Sequence, residues 1–194
     1  MMRENSGFSL KIASSFEDYM KVVAVRSIVY LAGQACPWSE EFDGNDHAAT
    51  QILGLLDGEP VATARIRWFA GFAKLERLAL RPEARGSGHG DDLLRFMIAI
   101  SQRKGFSCLY LHAQAGLVHF YRAHGFVPHG APFTFSGYHY VEMKAVLPPR
   151  PDELRLDDGP HVLNRPEGDW NRPGVLEISA GRPPAPRQPD KPRA

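Results

Sequence analysis

Glu76-Arg77-Leu78-Ala79-Leu80-Arg81-Pro82-Glu83-Ala84-Arg85-Gly86-Ser87-Gly88-His89-Gly90-Asp91-Asp92-Leu93-Leu94 passes from a strand pattern through a glycine-rich turn into a helix. That order implies an anion site. Gly86, Gly88 and Gly90 let the backbone bring its N–H groups close to a ligand, and a helix opening near Gly90 adds unpaired donors and the positive end of its dipole. A nucleotide-triphosphate loop would need Lys-Ser or Lys-Thr after the glycines, and none is present. A dinucleotide fingerprint would need G-x-G-x-x-G after the first strand, whereas this run is G-x-G-x-G and lies well inside the chain. A flexible strand-to-helix connection is the plain alternative.

Working outward, Gln51 to Leu56, the turn Asp57-Gly58-Glu59 and Val61 to Phe69 read as a hairpin. A further strand, Ala73 to Leu80, delivers the chain to the glycine loop. The helix after the loop runs to about Lys104 with Leu93, Phe96, Met97 and Ile100 on one face and Gly105 as its stop. Cys108 to Leu111 is an apolar run suited to a central strand parallel to the one before the loop, because a helix intervenes. Ala115 to His124 predicts a short helix, Phe126-Val127 the start of a strand, and Tyr138 to Val146 the last strand.

Upstream, Phe8 to Ala13 reads as a first strand, and Ser15 with Asp18 opens a helix whose Phe16, Tyr19, Met20 and Val23 are expected to pack on a sheet. Residues 33–47 form a loop carrying Glu40, Glu41, Asp43 and Asp46, of which Glu41, Asp43 and Asp46 are candidates to hold an amine; closing turns is the alternative for the aspartates. Trp38 and Phe42 are expected to pin this loop to the core.

With 194 residues, 43% of them hydrophobic, the chain can build one domain, taken as residues 1–147. Eleven of the 16 prolines lie beyond Leu147, so residues 148–194 are expected to be a tail, partly disordered or wrapping the domain. A net charge of +1 gives no field favouring nucleic acid or acidic membranes. No leader-like start or membrane-spanning run is visible, which points to a soluble cytoplasmic protein with Cys36 and Cys108 reduced. Among the eight histidines, His119 and His124 do not share a helix face and His112, His129 and His139 fall on separate elements, so no metal is expected.

Two motifs in order carry a family resemblance covering roughly residues 8 to 146. Arg85, Gly88 and Gly90 match the [QR]-x-x-G-x-[GA] loop of the GNAT superfamily N-acetyltransferases, and Gln114 through Phe126 resembles that superfamily's second motif, a helix with an aromatic-Tyr pair ending in Gly-Phe. Val25-Arg26-Ser27-Ile28-Val29-Tyr30, Gln34-x-Cys36-Pro37 and Leu111-His112-Ala113-Gln114-Ala115 resemble the ElaA-like branch.

The resemblance implies the GNAT α/β fold: a mostly antiparallel mixed sheet with one parallel, splayed strand pair and helices on both faces. It implies acetyl-CoA as co-substrate, with Leu78, Ala79 and Leu80 pairing with the pantetheine arm. Arg85, Gly86, Ser87, Gly88, His89, Gly90 and Asp91 would cradle the pyrophosphate, and Gln114 would contact the coenzyme. Tyr121 would protonate the departing thiolate, a packed helix tyrosine being the alternative. Glu76 is the candidate general base, or a strand residue paired with Lys74 or Arg67.

His89 takes a slot usually aliphatic in the family, and Asp91-Asp92 stand where a basic or small residue is commoner; both aspartates are expected to point outward and stabilise the helix start. The implied reaction is direct acetyl transfer to a primary amine on a small molecule or peptide, with room for a homodimer. A longer-chain acyltransferase resembling acyl-homoserine-lactone synthases and a non-catalytic coenzyme-sensing module are the alternatives.

Overall fold

The computed structural model describes residues 7–183. The expectations for the leader-free start at residues 1–6 and for the proline-rich end from residue 184 lie outside the described residues. The chain divides after Leu154 into two compact units.

The first unit is built on an eight-stranded sheet: β1 Phe8–Ile12, β2 Thr50–Leu56, β3 Glu59–Phe69, β4 Phe72–Leu80, β5 Cys108–Gln114, β6 Val127–Pro128, β7 Phe133–Phe135 and β8 Tyr138–Val146. The order is β1-β2-β3-β4-β5-β8-β6, with β7 also on β8, and every pairing is antiparallel except β4 with β5. The β2–β3 hairpin turns through Asp57 and Gly58, both at positive φ, which matches the twist of the flanking strands. The parallel pair follows from the intervening helix.

Six consecutive residues of β3, Val61 to Ile66, are buried, so both faces of the sheet are covered. Helix α1, Phe16–Arg26, lies over the Arg65 face, because Arg26 and Arg65 meet the same carboxylate. Helix α3, His89–Arg103, covers the other face: its first residue His89 stacks on Phe8 with centroids 4.0 Å apart, and Phe8 packs over Gly54 and Ala62. A short helix α2, Trp38–Glu41, and α4, Val118–Arg122, complete the unit.

Ser15 caps α1 by accepting from the Asp18 N–H at 3.1 Å, as its spacing predicts. The buried face is not the one expected. Asp18, Val22, Val25, Arg26 and Val29 face inward, while Phe16 is 72% and Met20 57% exposed. The inner stripe keeps helical spacing but includes an arginine that tertiary ion pairs neutralise, which a local apolar count does not register. Trp38, expected to pin its loop to the core, is likewise exposed and lies against Phe42 at 4.3 Å. After Arg26 the chain widens into a π-helical segment, Ser27–Ala32, a geometry often found beside functional sites. Cys36 and Cys108 are both free.

In the second unit the periodicity-poor stretch holds two short helices, α5 Gly159–Leu163 and α6 Val175–Ala180. Arg165 joins them by pairing with Glu177 at 3.0 Å and donating to the Trp170 carbonyl at 2.7 Å. Among the described residues no helix is long and apolar enough to cross a membrane.

Candidate active site

Strands β4 and β5 are in register from Ala73 and Leu109 only to Leu75 and Leu111, and beyond that they part. The divergence coincides with a bulge. Glu76 stands opposite Arg65 and Ala79 opposite Thr63, so Arg77 and Leu78 oppose Ala64 alone. Arg77 adopts φ +53°, which costs a non-glycine residue of order 1–2 kcal/mol and is held there by its ion pair with Glu41 at 3.1 Å and its donation to the Glu40 carbonyl at 2.7 Å. The Tyr30 hydroxyl, carried by the π-helical segment, donates to the Leu78 carbonyl at 3.1 Å and so joins the helical layer to the bulge.

Two cavities open at this split. A cleft of about 1230 Å³ is lined by Leu78, Ala79, Leu80, Arg85, Gly86, Ser87, Gly88, His89, Gly90, Asp91, Gln114 and Tyr121, and so gathers every residue the resemblance assigns to the coenzyme. A second cavity of about 530 Å³ is lined on one side by Glu40, Asp43, Lys74 and Glu76 and on the other by His112, Phe133, Phe135 and Tyr140. Tyr30, Gln34, Leu78, Gln114, Leu117 and Tyr121 line both, so the two spaces share a wall to which Tyr121 belongs.

Gly86 and Gly88 take φ +79° and +86°, the left-handed region in which a side chain is strained, and Gly88 is the residue preceding α3. Among the described residues, the N–H groups of Gly86, Gly88, His89 and Gly90 have no backbone carbonyl partner, whereas Asp91 and Asp92 close the first turn onto Gly88. Unpaired donors at the start of a 15-residue helix form a site that suits a diphosphate. Arg85 donates to the Leu80 carbonyl at 3.0 Å and braces the loop. Asp91 is held by His124 at 3.0 Å, and the His89 ring is buried against Phe8, which accounts for an imidazole in an apolar slot.

The acidic loop behaves differently from its reading in sequence. Glu41 and Asp46 are buried and do not line the cavity; they serve as counter-ions. Arg26 donates to Glu41 at 2.5 Å and to Asp46 at 2.6 Å, and Arg65 donates to Asp46 at 2.9 Å and to Asp43 at 2.8 Å. Both guanidiniums are fully buried, so each needs these carboxylates to offset its lost hydration. Burial pushes the Asp43 and Asp46 carboxyls up, but Arg65 and Arg26 outweigh it and hold both below the usual carboxylate range. Of the three amine candidates, only Asp43 reaches the cavity.

Glu76 lines the cavity but is bound at 2.8 Å by Lys74 and at 2.8 Å by Arg65. Burial raises its carboxyl, and Lys74 and Arg65 together bring it below its ordinary value, which makes it a weaker base. Tyr121 is 7% exposed, and burial pushes its phenol up to about 12, so it stays protonated through the neutral range. A phenol so placed is a weaker proton donor than a free one.

Several residues lining the smaller cavity fall outside the site candidates of the sequence, Phe135 and Tyr140 among them. Glu40 lines it with a carboxylate oxygen that has no hydrogen-bond partner among the described residues. Phe133 belongs to β7, a three-residue strand too short to show alternation. His112 belongs to the Leu111-to-Ala115 run that resembles the ElaA-like branch but carries no site role in that resemblance, although Tyr110, His112 and Gln114 alternate onto one face of β5. Among the described residues no group of three or more His, Cys, Asp or Glu side chains is placed to hold a metal.

A match to the Acetyltransferase (GNAT) family spans residues 19–126. The N-acetyltransferase YjcF of Bacillus subtilis (strain 168), described as uncharacterized, is 32% identical over 134 residues, covering 68% of this chain and 95% of that protein. The crystal structure of Escherichia coli ElaA superposes with a TM-score of 0.63 at 26% identity, over 71% of this chain and 97% of that one. A GNAT family acetyltransferase from Elizabethkingia anophelis, crystallised with acetyl-CoA bound, shares the fold with a TM-score of 0.56 at 14% identity, over 73% and 99% of the two chains. With the family match covering both motif regions and the splayed strand pair between them, this chain belongs to the GNAT acetyltransferase family.

Proposed function

We propose that the protein is an N-acetyltransferase that moves an acetyl group from acetyl-CoA to a primary amine by direct attack, without a covalent enzyme intermediate. The observation that carries this reading is the wall the two cavities share, Tyr121 included: one is lined by the glycine loop and its unpaired amides, the other by carboxylates and aromatic rings suited to an amine. The acetyl-CoA bound by the structurally similar Elizabethkingia anophelis protein supports the same choice of co-substrate.

Acetyl-CoA supplies the activated thioester. The chain's own residues do the rest. The amides of Gly86 to Gly90 and the start of α3 would hold the diphosphate, and the bulged backbone at Leu78 to Leu80 would direct the pantetheine arm into the split between β4 and β5. Gln114, at the end of β5, would contact the arm from the other side. Glu40 and Asp43 would attract the acceptor's ammonium, and Phe133, Phe135 and Tyr140 would cover its apolar part. The Tyr121 hydroxyl would return a proton to the departing sulfur.

Isothermal titration with acetyl-CoA, followed by a free-thiol release assay over a panel of small amines and peptide N-termini, tests this. Saturable 1:1 binding and amine-dependent thiol release are expected. Binding without release for every amine would leave a coenzyme-sensing module, and no binding would remove the proposal.

A further inference from the structure

We infer that His112 is the general base that takes the proton from the acceptor amine, with Tyr110 and Glu142 positioning it from behind. The inference rests on the acetyltransferase reading above. His112 and Glu142 are direct cross-strand partners on β5 and β8, and Tyr110 lies two residues earlier on the same face of β5. The Tyr110 hydroxyl donates to Glu142 Oε1 at 2.5 Å and lies 2.9 Å from His112 Nε2. A carboxylate can only accept, so the one hydroxyl proton is committed to Glu142 and the phenol oxygen is left to accept. Nε2 must then carry its hydrogen, which leaves the lone pair on Nδ1.

The ring is fixed by edge contacts with Tyr110 at 5.2 Å and Phe133 at 4.8 Å, and it lines the acceptor cavity. Gly130 makes room for the carboxylate behind it, since a Cβ there would meet Glu142 Oε2 at 2.0 Å. Five neighbours face the imidazole: Tyr110 on β5, Lys74 and Glu76 on β4, Glu142 on β8 and Phe133 on β7. Burial and Lys74 push the imidazole below its ordinary value, against the smaller opposing pull of Glu142 and Glu76, so it is neutral and able to accept a proton at neutral pH. Glu76, the other candidate, has its carboxylate occupied by Lys74 and Arg65.

The step balances within the site. The acceptor's ammonium first gives one proton to solvent and so gains the lone pair for attack; as the neutral nitrogen then bonds to the acyl carbon, a second nitrogen-bound proton passes to His112 Nδ1 and the carbon–sulfur bond breaks with its electron pair on sulfur. Sulfur takes its proton from Tyr121, and solvent exchange returns the imidazolium and the phenolate to their starting states.

The test compares His112→Gln, Glu76→Gln and Glu142→Gln in the full chain by pH profiles of kcat/KM, coenzyme titration and nitrogen-15 NMR of the His112 ring. The wild type is expected to show the Nε2–H tautomer and an acidic limb below the usual histidine range. His112→Gln should lose roughly 10²- to 10⁴-fold in kcat/KM together with that limb, while keeping its coenzyme affinity. Glu142→Gln removes a charge that favours imidazolium, so both the NMR titration and the limb should move to lower pH. The inference is overturned if the ring is the Nδ1–H tautomer, or if Glu76→Gln rather than His112→Gln abolishes the limb. An absence of thiol release by the wild type with every amine would instead remove the acetyltransferase reading itself, a different result from either of these.

Discussion

Arg26 on α1 and Arg65 on β3 donate to the same oxygen of Asp46, at 2.6 and 2.9 Å, although the two arginines are 39 positions apart and both fully buried. Helix and sheet are therefore joined by a shared carboxylate in addition to the apolar contacts of Val22, Val25 and Val29. Asp46→Asn leaves two guanidiniums short of a counter-charge in low dielectric, and a loss of about 3–5 kcal/mol is expected. Chemical denaturation with coenzyme-free protein measures it; a loss below about 1 kcal/mol would show that Glu41 and Asp43 suffice.

The same network fixes how stability depends on pH. Asp43, Asp46 and Glu76 have folded-state values below their unfolded ones, so each contributes stability that is present above the unfolded carboxylate range and is lost as pH falls through the folded value. Glu41 runs the other way: burial raises it despite Arg77 and Arg26, so its contribution is lost as pH rises through its folded value. Three groups outnumber one, and Tm is expected to fall steadily below about pH 4, with a shallower slope in Asp46→Asn.

Tyr121→Phe removes the hydroxyl of a buried residue that lines both cavities. A drop of about 10²-fold in kcat with little change in coenzyme affinity is expected, because a general acid acts in the transition state. Unchanged kcat at every pH would make Tyr121 a packing residue.

Gly88→Ala places a Cβ on a backbone at φ +86° directly before α3. Refusal of the left-handed conformation, worth about 1–2 kcal/mol, is expected to weaken acetyl-CoA binding by roughly tenfold, read by titration calorimetry. Gly54→Ala is the contrast: its Cβ would lie 2.7 Å from the Ala62 Cβ, so it should cost about 1–3 kcal/mol of stability and leave coenzyme affinity alone.

Local chemistry carried much of the fold into view from the sequence. The Asp57-Gly58 hairpin, the Ser15 cap, the glycine turn into α3 and the last strand Tyr138–Val146 all follow from residues within a few positions of one another. What escaped depends on distant partners. The inward face of α1 is set by Asp46 and Glu41, not by Phe16 and Met20; the bulge at Arg77 is held by Glu40 and Glu41 across the fold; β7 exists because β8 pairs with it. The conformation of the glycine loop was legible because its backbone demands glycine, whereas Glu40 in its acidic loop and His112 on one face of β5 become cavity residues only through the distant elements that meet around them.

A crystal structure of the full chain with coenzyme A bound tests the central claim most directly. The account predicts diphosphate oxygens within hydrogen-bonding reach of the Gly86 to Gly90 amides and the sulfur beside the Tyr121 hydroxyl, in the split between β4 and β5. A coenzyme seated elsewhere, or one whose sulfur points away from Tyr121, would contradict it.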